Sequence, residues 1–78
     1  GLTSAQNALG TSYQFGQGVD KSVQQAAWWY NLAAERGYAP AMVNLAMLYV
    51  NENMADKYAE SVEWLKKAVD LGRLDVRY

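Results

Sequence analysis

The stretch Ala26-Ala27-Trp28-Trp29-Tyr30-Asn31-Leu32-Ala33-Ala34-Glu35-Arg36-Gly37 decides the fold, because it returns as Ser61-Val62-Glu63-Trp64-Leu65-Lys66-Lys67-Ala68-Val69-Asp70-Leu71-Gly72. Trp29 corresponds to Trp64, Ala33 to Ala68 and Gly37 to Gly72, each pair 35 positions apart. A fixed period of this size marks a repeat array, in which each unit buries a face on the next. Outward from this stretch the same frame holds. Ala5, Leu9, Gly10 and Tyr13 recur 36 positions later as Ala41, Leu45, Ala46 and Tyr49. The offset falls by one between Val19 and Ser61, so the second unit lacks one residue in its middle loop, where length changes are tolerated. The frame divides a single segment, 1–78, into units 5–40 and 41–75, with 76–78 opening a third, and it reads as a piece of a longer array.

Each unit reads as two helices, a leading one and a trailing one. The first leading helix is predicted over 4–14, with Ala5, Ala8, Leu9 and Tyr13 on one face at helical spacing and Thr3 with Gln6 as a capping box. The first trailing helix is predicted over 21–36, capped by Asp20 or Ser22 and closed by Gly37 in the left-handed region. Trp29 is expected in its core. The second leading helix, 40–50, opens on Pro40, which suits a first turn that needs no amide donor. The second trailing helix, 56–71, carries Tyr58, Val62, Leu65 and Val69 on one face, with Trp64 and Ala68 beside it. Small residues at Gly10, Ala26, Ala33, Ala46, Ser61 and Ala68 let helix axes approach, and the aromatic residues fill the gaps beside them. The fold class is therefore all-α, a solenoid of tandem helix-turn-helix repeats with about four main helices.

Composition narrows function. Net charge is −1 and the chain has no basic stripe to neutralise a phosphate backbone, so nucleic acid is a poor partner. Cysteine and histidine are both absent, which removes thiolate chemistry, the commonest general base and the usual zinc ligands. No cofactor is expected. No apolar run approaches the roughly 18–20 residues of a membrane span, so membrane insertion is not expected.

These residues resemble the Sel-one-like repeats, a branch of the tetratricopeptide-like α-solenoids. That family's pattern runs A-x3-LG-x2-Y-x2-G-x-GV and then A-x2-WY-x2-AA-x2-G. The first unit matches at Ala5, Leu9, Gly10, Tyr13, Gly16, Gly18, Val19, Ala26, Trp29, Tyr30, Ala33, Ala34 and Gly37. The second keeps Ala41, Leu45, Tyr49, Trp64, Ala68 and Gly72 and departs at Ala46, Glu52, Met54, Ala55, Ser61, Leu65 and Val69. The resemblance implies a right-handed superhelix that serves as a scaffold for other proteins, with no shared catalytic residues.

The candidates for function are few. Glu35, Glu52, Glu60 and Glu63 read as a solvated face rather than an acid–base pair, which would need a shared cleft. Gly16-Gln17-Gly18 has no strand before it and reads as a turn. Trp28 occupies the position of Glu63, so it can face water and contact a partner, or pack on a neighbouring repeat. Val43, Met47 and Val50 are spaced i, i+4, i+7 on the second leading helix, where the first has Asn7, Thr11 and Gln14. In tetratricopeptide-like arrays the leading helices line the concave surface. The apolar stripe is then either a floor for a peptide or protein partner, or packing inside the array. The sequence expectation is a non-catalytic interaction module that takes a protein or peptide at Asn7, Thr11, Gln14, Trp28, Val43, Met47 and Val50. The alternative is a regulatory or spacer segment of a larger enzyme or envelope protein. Self-association through uncovered repeat ends is also expected.

Overall fold

The left-handed residue Gly37, at φ 87°, turns the chain between the two units. Its amide donates to the Ala34 carbonyl at 2.9 Å, and that of Tyr38 reaches back to the Ala33 carbonyl at 3.2 Å. This pair of bonds is a Schellman motif, and it satisfies two carbonyls that the helix end would otherwise strand. Tyr38 then packs on Ala33, Ala34, Ala41 and Met42, which fixes the angle at which the next helix leaves.

The computed structural model describes the backbone of residues 1–75 and the side chains of residues 1–72. Four α-helices follow one another: α1 Leu2–Phe15, α2 Val23–Glu35, α3 Ala39–Asn51 and α4 Tyr58–Asp75, with one 3₁₀ turn, Ala55–Lys57, before α4. No strand occurs among the described residues. Each helix packs on its neighbours in the chain, α1 on α2, α2 on α3 and α3 on α4. The smallest dimension, 19 Å, is about two helix diameters, so leading and trailing helices form two layers. Among the described residues no helix is long and apolar enough to cross a membrane. The expected third unit, 76–78, lies outside the described residues.

Boundaries follow local chemistry. Ser22, not Asp20, caps α2, and its Oγ accepts from the Gln25 amide at 3.2 Å. Pro40 sits in the first turn of α3 as expected. The start of α1 lies earlier than the Thr3 capping box predicts, and Ser4 Oγ donates back to the Gly1 carbonyl at 3.0 Å. Asn53 ends α3 with φ 55° and replaces the glycine that ends α1, Gly16 at φ 68°. Asparagine is among the few residues other than glycine that enter this region readily. The amides of Asn53 and Met54 bond to the Val50 and Tyr49 carbonyls, which makes a second Schellman motif without a glycine. Gly72 differs from Gly37. It lies inside α4, which runs on to Asp75.

The core lies between α2 and α3. One cluster joins Ala26, Tyr30, Leu45, Leu48 and Tyr49, and a second joins Ala33, Ala34, Ala41 and Met42. Trp64 packs against both. The residue of α2 that reaches the centre is Tyr30, 1% exposed, and not Trp29, which is half-buried. Trp64 lies beside Ala34, Gly37 and Met42 of the preceding unit, whereas no described unit precedes Trp29. The expected apolar face of α1 is corrected in the same way. Gln6 and Gly10 are the buried residues of α1, while Ala5, Ala8 and Leu9 are exposed. The stripe Tyr58, Val62, Leu65 and Val69 on α4 is exposed as well.

Candidate functional site

The α3 helix is covered on two sides, by α2 and by α4, and it buries Ala41, Met42, Leu45, Ala46, Leu48 and Tyr49. What remains is one face, and that face is apolar. Val43 is 36% exposed, Met47 52% and Val50 50%. Of the two readings open to this stripe, packing between the described helices is excluded by these exposures. The Asn44 amide, next to the stripe, donates to Asn7 Oδ1 at 3.0 Å and ties α3 to α1.

The matching stripe on α1 is polar and largely occupied with internal bonds. Tyr30 Oη donates to Gln14 Oε1 at 2.7 Å and lies 3.1 Å from Thr11 Oγ1. Thr11 Oγ1 also lies 3.2 Å from the Asn7 carbonyl, which accepts from it. Thr11 and Gln14 thus hold the polar end of a core tyrosine, and Asn7 holds α3. Burial pushes the Tyr30 phenol above its ordinary 10.0, and the hydrogen bond to Thr11 works in the opposite direction. All six leading-helix candidates therefore lie on two adjacent helices, with the apolar three free and the polar three engaged.

Trp28 stands apart from them. It is 56% exposed on α2, and its ring meets Trp29 edge to face with centroids 5.0 Å apart. It lines a shallow depression with Ser22, Gln24 and Gln25 and with none of the other six candidates. Glu35, Glu52, Glu60 and Glu63 are all exposed. Among the described residues no group of three or more His, Cys, Asp or Glu side chains is placed to hold a metal ion.

Three features escaped the sequence reading. Gln6 is 7% exposed, and its Oε1 has no hydrogen-bond partner among the described residues. Its position corresponds to Met42, and a glutamine in an apolar register was the available signal. A cleft of about 610 Å³ opens between the turn at Gly37 and α4, with Met42 and Trp64 among the residues lining it. There Lys67 sets its ammonium 5.1 Å from the centre of the Trp64 ring, a cation–π contact at i, i+3 spacing.

The Sel1 repeat family model matches the chain twice, over residues 3–38 and 39–72. Over 68 residues, 87% of its length, the chain is 34% identical to a putative sel1-like repeat-containing protein L21 of Acanthamoeba polyphaga mimivirus. The aligned part is 12% of that relative. No solved structure matches the chain.

Proposed function

The chain belongs to the Sel1 repeat family, and from that premise we propose that it is a non-catalytic scaffold module that holds a protein or peptide on the leading-helix face. Repeats of this family mediate protein–protein interaction. The observation that carries the reading is the stripe Val43, Met47 and Val50, left exposed on a helix whose other faces are covered. An apolar stripe at i, i+4, i+7 matches the way an amphipathic helix or an extended segment seats its anchor side chains. The Asn7–Asn44 pair beside it gives the floor a rigid polar edge. Thr11 and Gln14 contribute by fixing Tyr30, and so the relative position of α1 and α2, rather than by direct contact.

The test is capture from a lysate of the source organism with the tagged chain, beside a Val43→Asp, Met47→Asp double variant. Both residues are exposed, so circular dichroism of the variant should show an unchanged helical fold. A protein retained by the parent and lost by the variant supports the reading. A protein retained equally by both, or by neither, contradicts it.

A further inference from the structure

The two units repeat not only in sequence but in which face they cover, and this exposes a matched pair of surfaces. Tyr58, Val62, Leu65 and Val69 of α4 lie 35 positions after Val23, Ala27, Tyr30 and Ala34 of α2. The α2 residues are the ones α3 covers: Val23, Ala27 and Tyr30 pack with Leu45, Leu48 and Tyr49, and Ala34 packs with Ala41 and Met42. On α4 the same positions are apolar yet 41%, 51%, 40% and 52% exposed. The α1 helix is the counterpart. Ala41 and Leu45 of α3, each 0% exposed against α2, correspond to Ala5 and Leu9 of α1, which are exposed. Between Leu2 and Phe15, α1 has no charged residue, so covering it strips no side-chain charge of water.

We infer that the outer face of α4 receives the outer face of α1 from a second copy of this chain, so that copies join head to tail in the geometry by which α2 receives α3. Leu9 of one copy takes the place of Leu45, between Leu65 and Val69 of the other. The joint continues an interface the chain already contains, which is why a second copy is the occupant. It uses two different surfaces, so it does not close on itself, and assembly is open-ended and concentration-dependent. It leaves the Val43, Met47 and Val50 stripe uncovered and does not depend on it.

Sedimentation velocity from micromolar to millimolar concentration tests this, with Leu9→Glu and Leu65→Glu as variants. Both side chains are about two-fifths exposed, and Val62→Glu, at a more exposed site, repeats the second disruption if Leu65→Glu fails to fold. The wild type should gain mass steadily with concentration, and each variant alone should remain monomeric. An equimolar mixture of the two should form a one-to-one dimer and nothing larger, because a single intact joint remains. A wild type that stays monomeric, a Leu9→Glu variant that still dimerises, or a mixture that stays monomeric would each overturn the inference. The Val43→Asp, Met47→Asp variant should sediment as the wild type does, which separates this joint from the partner-binding face.

Discussion

The ring of Tyr30 lies directly on the backbone of Gly10. A Cβ built at residue 10 would stand 2.5 Å from Tyr30 Cδ1 and 2.6 Å from Cε1, closer than atoms can pack. The second unit makes the opposite choice at both places, with Ala46 and Leu65. The pair explains why α1 and α2 approach as they do: the missing side chain of one helix makes room for the largest fully buried side chain of the next.

Gly10→Ala should therefore destabilise the fold. In an open helix the change would help by about 1 kcal/mol. Here overpacking, typically 1–3 kcal/mol, outweighs it. Combined with Tyr30→Leu, which copies the second unit, the loss should be smaller than the sum of the two single losses. Urea denaturation of the four-member cycle measures this coupling.

Alkaline pH should weaken the fold. Burial, with the charges of Glu60 and Asp56 beside it, pushes the Tyr49 phenol far above its ordinary 10.0, and burial raises Tyr30 as well. Both groups stay protonated in the folded chain at a pH where the unfolded chain has released its protons. Stability is then fully present below pH 10 and falls as pH rises above it. Denaturation midpoints measured on either side of pH 10 check the sign, and Tyr49→Phe should flatten the slope.

Asn53 should tolerate glycine better than alanine. Its backbone is left-handed, where a Cβ costs roughly 1–2 kcal/mol and the asparagine amide offsets part of that cost. Asn53→Gly should leave the melting temperature unchanged or raise it, and Asn53→Ala should lower it. Gly37→Ala should lower it too, since Gly37 adopts the same kind of backbone.

The two repeat tryptophans should be unequal. Trp64 packs against both core clusters, so Trp64→Ala should cost about 3 kcal/mol, the lower end for buried aromatics. Trp29 belongs to neither cluster, and Trp29→Ala should cost clearly less. Thermal melts followed by circular dichroism would rank them.

Much of this was legible in the sequence. The 35-residue period gave the helix pairs, and Gly37 and Pro40 placed the turn between units, because turn residues act locally. The pattern could not say which apolar positions are covered. Ala5, Leu9, Val62 and Leu65 follow the same periodicity as Ala41, Leu45 and Tyr30, but burial depends on the neighbouring helix and not on the residue. The Trp29 expectation failed for that reason. The polar candidates on α1 misled differently: Thr11 and Gln14 look like a surface stripe, but they are bound to Tyr30, whose hydroxyl demands partners once the ring is buried. Trp28 and the α3 stripe were visible as residues, and only their exposures separated them from packing.

The most direct test of the leading-helix face replaces Met47 with a photo-crosslinking residue and illuminates the chain in a lysate of the source organism. The account predicts a protein crosslinked at residue 47 that disappears when Val43→Asp is added and persists with Trp28→Ala. A partner whose capture survives Val43→Asp and is abolished by Trp28→Ala would contradict it and place the binding surface on α2.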